Sequence, residues 1–255
     1  MRANLGLVIA RTGVTLGKLL GRITMRALLA MLALTGCGYV DYEAAPVGKF
    51  EGALFVMWVD ESKRGLGDGS FVFVPTADPL RFTRGGRGTV QVIEPTMMYT
   101  DGGSIPQMAQ AMNGFSPWGY APAYMVHDWL FVARKCVNDG AATEGEAAVA
   151  DMPFIESAEI AAEAIKSLIA AGRVQPNDVA PQAISSAVAG PVSRQLWNKK
   201  GACAAGRIKP EHLAMIYRAL PSVQPVMEMA PGAAPMRRMA VPSGPAAKVV
   251  QVVEF

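Results

Sequence analysis

Apolar and polar positions divide this chain into stretches of different period. Residues 54–59 (LFVMWV) form an unbroken β-rich run, which predicts a strand covered on both faces or lying at a sheet centre. The turn formers of 65–70 (GLGDGS) follow, and 71–74 (FVFV) reads as the returning strand. A third strand is expected at 90–93, after Gly85-Gly86-Arg87-Gly88, with Pro75, Pro79 and Pro95 bounding the pieces. Farther along, the period lengthens to that of a helix. Pro122 suits the first turn of a helix running to about Arg134, because its missing amide proton costs nothing there. Within 154–171, Ala158, Ala161, Ala162, Ile165, Leu168 and Ile169 fall on one apolar stripe, and Gly172 supplies the stop. Shorter helices are expected at 181–189, 192–197 and 210–220, the last ended by Pro221. Residues 222–247 are rich in Pro, Met, Ala and Gly without periodicity, and 249–253 reads as a returning edge strand.

This pattern predicts an α+β fold, with a small antiparallel sheet at residues 50–100 packed with several helices at 104–220. The expected organisation is a signal segment at 1–36, a tether at 37–49, one domain at 50–220 and a tail at 221–255 carrying the terminal strand. At 255 residues, 51% hydrophobic, the chain is long enough to bury a core of that kind.

The amino terminus changes the picture. Residues 27–34 (ALLAMLAL) are apolar but too few to span a bilayer, and Arg22 and Arg26 precede them. Leu34-Thr35-Gly36-Cys37 resembles the bacterial lipobox, in which the cysteine is acylated and becomes the first residue of the mature chain. Met25 is a second candidate start, since 25–37 is a complete lipoprotein signal by itself; the alternative is an uncleaved helical anchor. The resemblance implies a cell-envelope protein attached to the membrane through lipidated Cys37 and facing the periplasm. Gly38 in place of an aspartate points, by resemblance to enterobacterial sorting, to the outer membrane.

Charge then reads differently. The formal net charge is +3, but Arg2, Arg11, Lys18, Arg22 and Arg26 all precede Cys37 and no acid does. Taking those 5 from 24 leaves 19 basic against 21 acidic side chains, a net of −2. A body so balanced has no long-range attraction for phosphate backbones, and nucleic acid is not an expected partner. Export also pairs the remaining cysteines: Cys136 and Cys203 either form a disulfide or stay as buried thiols. A bond between them would contribute roughly 3–4 kcal/mol by chain entropy.

Candidate chemistry is confined to two stretches, Thr100-Asp101-Gly102-Gly103-Ser104-Ile105-Pro106 and Met125-Val126-His127-Asp128-Trp129-Leu130-Phe131. Ser104, Pro106 and Gln107 have the spacing of a helix capping box, in which Ser104 accepts an early amide and Gln107 reaches back. A serine nucleophile is the alternative, without the Gly-x-Ser-x-Gly elbow, since position 106 is proline. His127 and Asp128 are helix neighbours whose side chains leave about 100° apart. Two readings stay open for them. They are a buried pair tying their helix to the Asp101 turn by hydrogen bonds, or Asp101, His127 and Asp128 form a general-base or divalent-metal cluster. No cofactor is firmly indicated. His212, beside Glu211, is expected at the surface.

Thr100, Asp101, Ser104, Pro106, Gly119, Tyr120, His127, Asp128, Leu130 and Phe131 together resemble the phage and prophage family called domain of unknown function 1353. The resemblance runs over residues 71–201 and is concentrated in 99–131. It implies a compact α+β domain of phage or phage-derived genomes, with no established activity. It also implies an acid in the following helix, best matched by Glu159, with Glu156 and Glu163 as alternatives. Those three glutamates share a helical side, which composition reads as a solvated acidic face. Two functions follow: a tethered structural or interaction module with an envelope protein or polymer as partner, or a hydrolase of an envelope polymer using Asp101, His127, Asp128 and, as a further candidate ligand, Glu159 around a divalent ion.

Overall fold

The central strand explains why its sequence is apolar without interruption. In the computed structural model, which describes residues 39–59, 70–103, 110, 112, 114–177, 179–221 and 247–255, strand β2 (Ala53–Trp58) lies between two partners. Alternate side chains point to opposite faces of a strand. Leu54 and Val56 enter the main core, whereas Met57 and Val59 enter a second cluster with Val72, Val74 and Ile216. Each face of β2 is therefore covered.

Two small antiparallel sheets result. In one, β2 pairs with β3 (Phe71–Phe73) and with the carboxy-terminal β7 (Lys248–Glu254), while β3 pairs with β6 (Met98–Thr100). The strand order is β6-β3-β2-β7, so the terminal strand does sit at an edge. The other sheet has the order β1-β4-β5, from β1 (Lys49–Glu51), β4 (Arg81–Thr83) and β5 (Val92–Ile93). The expected single sheet is thus divided, and the short strands β1 and β4 lie where no apolar run marks them.

The helices follow the apolar stripes closely. They are α1 (Ala121–Asn138), α2 (Glu144–Ala147), α3 (Phe154–Ala170), α4 (Ala180–Val188), α5 (Pro191–Trp197), α6 (Cys203–Gly206) and α7 (Pro210–Ala219). Helix α3 packs against both α1 and α4, with Ala158, Ala162, Ile165 and Leu168 buried. It ends at Gly172, whose φ of +67° allows Arg173 N–H to reach back to the Leu168 carbonyl at 2.9 Å. Helix α1 outruns its expected end by a turn, and Cys136 in that extra turn is bonded to Cys203 of α6. None of the helices among the described residues is long and apolar enough to cross a membrane.

Three expectations are corrected. Residues 39–48, expected as part of a tether, are docked on the body: Val40 and Tyr42 are buried, and Gln182 of α4 bonds both backbones. His212 is buried in α7, where its Nδ1 shares a 2.8 Å hydrogen bond with the Tyr99 hydroxyl. Glu156 and Glu163 are not solvated; both are buried on α3 against Arg84, and Glu159 alone of the three is exposed. Cys37, Ser104, Pro106 and Gln107 lie outside the described residues.

Candidate functional site

The site is built where the end of β6 meets the start of α1. Thr100 Oγ1 accepts the Gly102 amide at 3.0 Å, closing a tight turn over Asp101. Gly102 has a φ of +80°, a conformation side chains rarely adopt, and a Cβ there would strike the Pro117 carbonyl. Gly103 donates its N–H to that same carbonyl, and a Cβ on it would stand 2.7 Å from the Tyr124 ring. The two glycines thus let the turn press directly on the first turn of α1. Trp129 Nε1 adds a 3.0 Å hydrogen bond to Thr96 Oγ1, fastening α1 to the approach of β6.

Helical spacing then places Tyr120, Tyr124, His127 and Phe131 along one side of α1. The two tyrosine rings meet edge to face at 6.2 Å between centroids, and the His127 ring lies 4.8 Å from that of Phe131. Three buried polar atoms on this side have no hydrogen-bond partner among the described residues: the hydroxyls of Tyr120 and Tyr124, and His127 Nε2. Each such atom costs on the order of 1–3 kcal/mol relative to a satisfied one.

The neighbouring carboxylates are coupled to it. His127 Nδ1 stands 3.8 Å from Asp128 Oδ1, too far for a hydrogen bond but close enough for attraction if the ring is protonated. A third of the Asp128 side chain remains exposed. Desolvation by the surrounding protein nevertheless raises its pKa, against the pull of His127, and the negative charge of Asp101 raises it further. Burial also pushes the Tyr124 hydroxyl up, with Tyr120 and then Asp128 adding to the shift; burial alone raises Tyr120. Asp101, Asp128, Tyr124 and Tyr120 form a continuous electrostatic series. Each of the three shifted groups thereby favours its neutral form more than it would in water.

Of the residues nominated from the sequence, Asp128 has His127 and Asp101 as charged neighbours, and Glu159 is not among them. Its charged neighbours are Arg84, Glu156 and Glu163, and burial raises its pKa. Among the described residues, no three His, Cys, Asp or Glu side chains are gathered in a way that could hold a metal ion. Hydrogen bonds from Gly103 to Pro117 and from Trp129 to Thr96 join the end of β6 to the α1 segment. Tyr120 was named only as a residue of the resemblance, and the Tyr124 phenol was not nominated for the site. Their spacing, four residues from each other and seven and three residues before His127, was the available signal.

A second polar centre was also missed. Arg84 donates to Glu163 through Nε and Nη2 and to Glu156 through Nη1. Thr89 adds its amide and hydroxyl to Glu156, each at 2.7 Å. Burial pulls the Arg84 pKa down, but the hydrogen bonds and charges of Glu163 and Glu156 outweigh it, and the net shift is upward. Every donor faces an acceptor here, so this centre clamps the 84–91 loop to α3. Comparison with family models, curated proteins and solved structures finds no match to this chain.

Proposed function

We propose that the protein is an exported, lipid-anchored envelope module of phage or prophage type, held to the membrane through Cys37 and facing the periplasm. The observation that carries the reading is the bond between Cys136 and Cys203. Such bonds persist in oxidising compartments and are rare where thiols are kept reduced. That agrees with the lipobox-like Leu34-Thr35-Gly36-Cys37 and with a body of low net charge. The residues of 99–131 that resemble domain of unknown function 1353 are the reading's link to phage genomes, and Gly38 favours the outer membrane. Cys37→Ser tests it: the native protein is expected to sediment with membranes and to take up labelled palmitate, and the variant to do neither. A variant that fractionates and labels like the native protein would overturn the proposal.

One observation favours a second reading, hydrolysis of an envelope polymer at Asp101, His127 and Asp128. Asp128, its pKa raised, is suited to hold a proton, and among the described residues His127 Nε2 has no hydrogen-bond partner. Divalent-metal assistance would need ligands beyond these three, and Glu159 is not among their neighbours. The interaction module is preferred.

A further inference from the structure

The body starts almost at the anchor. Two peptide units, at most about 7 Å, separate Cys37 from Tyr39, and from Val40 onward the chain is fixed to α4 by Gln182. On the lipoprotein reading, on which this inference rests, the membrane surface therefore lies next to the first turn of α4. Three exposed apolar side chains belong to segments that meet there. Tyr39 is 71% exposed and immediately precedes Val40, whose carbonyl accepts from Gln182. Val179 is 58% exposed and opens the first turn of α4, where Asn177 Oδ1 accepts its amide. Met112 is 56% exposed; its carbonyl accepts the Phe115 amide, and the intervening Gly114 abuts Ala180 and Asn177.

We infer that Tyr39, Met112 and Val179 form a membrane-seating corner, which enters the lipid interface beside the acyl anchor. The occupant is a lipid surface. Tyrosine suits the headgroup level, with its ring in the apolar region and its hydroxyl in water. Methionine and valine supply apolar area that would otherwise stay in contact with water. Charge does not drive the contact. Asp41 and Glu43 are exposed close by, and Lys166 spends its ammonium group on the carbonyls of Tyr42 and Glu43. Seating is therefore apolar and insensitive to salt.

With Cys37 acylated and Cys136 bonded to Cys203, a cysteine introduced at an exposed position is the only free thiol in the mature chain. The full lipidated protein is prepared as Met112→Cys, Val179→Cys and Val192→Cys, each carrying an environment-sensitive fluorophore, in phosphatidylcholine vesicles with and without brominated acyl chains. Val192 is the control: it is 70% exposed and lies beyond the far end of α4, where neighbouring Arg194 covers Phe154. The expected result is blue-shifted emission, lost to brominated lipid, at 112 and 179 but not at 192, unchanged by salt. Vesicle-bound protein with all three labels in water would overturn the corner while leaving the lipid anchor intact. Protection at 112 and 179 that survives in detergent and scales with protein concentration would replace the lipid with a second copy and also overturn it. Protein that neither floats with vesicles nor carries acyl chains would remove the lipoprotein reading itself.

Discussion

The guanidinium of Arg84 meets the carboxylate of Glu163 side-on, and both side chains are 2% exposed. Arg84 belongs to the loop after β4 and Glu163 to the middle of α3, so the contact joins the three-stranded sheet to the helical layer. Glu156, one heptad earlier on α3, takes the remaining arm of the guanidinium. Gly88 lies so close to both Arg84 and Glu156 that a Cβ there would collide with them. The small residues of the Gly85-Gly86-Arg87-Gly88 stretch thus serve close approach.

Removing the cation from that centre is expected to be severe. Arg84→Met would leave two buried carboxylates facing each other, and breaking a buried pair in this way costs about 3–5 kcal/mol. Glu159→Gln, at the exposed position between them, should be neutral or slightly stabilising at neutral pH, because burial disfavours the ionised form of Glu159. Urea denaturation of the two variants checks the contrast. Equal losses would mean that α3 depends on its whole acidic side rather than on the Arg84 pair.

The disulfide closes a sequence separation of 67 residues. Cys136→Ser/Cys203→Ser should lower stability by on the order of 4 kcal/mol on the chain-entropy account. Non-reducing digestion and mass spectrometry of the exported protein should recover the two cysteine peptides linked. Free thiols at both positions in freshly exported protein would count against the bond.

Much of the helical layer was legible because its signals are local. The stripe from Ala158 to Leu168, the stop at Gly172 and the prolines at 122, 181 and 210 are read within a few residues of one another. The terminal strand was visible too, as the valine-rich run at 249–253. What could not be read depends on partners distant in sequence. Glu156 and Glu163 look like any solvated glutamates until Arg84, more than seventy residues away, is placed between them. His212 looks like a surface residue until Tyr99 of β6 reaches its Nδ1. The candidate site was half legible: Asp128 does lie within electrostatic reach of His127 and Asp101, but the burial of the Tyr120 and Tyr124 phenols emerges only once α1 is packed.

Asp128 gives a pH-dependent test. Its pKa is raised in the folded state by desolvation and by Asp101, so the neutral carboxyl is the better tolerated form. Stability from this group is fully present below the unfolded-state pKa, about 3.9 for aspartate, and is lost as pH rises through the raised folded value. Asp128→Asn holds the side chain neutral at every pH. It should melt higher than the native protein at pH 7 and match it at pH 3. An Asn variant that melts lower at pH 7 would show that the ionised carboxylate has a stabilising partner.

His127 and Tyr124 separate the two functional readings. Among the described residues neither His127 Nε2 nor the Tyr124 hydroxyl has a hydrogen-bond partner, and His127→Phe and Tyr124→Phe remove these polar atoms while keeping a ring in place. Each should leave stability unchanged or raise it, by as much as about 1–3 kcal/mol. If the protein is an interaction module, melting curves of the native protein and of His127→Phe should be insensitive to chelator, zinc, manganese or calcium. If Asp101, His127 and Asp128 hold a metal, the native protein should melt higher with one of these ions, by the linkage between binding and folding. His127→Phe should abolish that rise. A metal-dependent shift that disappears in the variant would sink the preferred reading and move the assignment to a hydrolase. A loss of stability in both phenylalanine variants, with no response to metal, would sink the claim that these polar atoms lack partners.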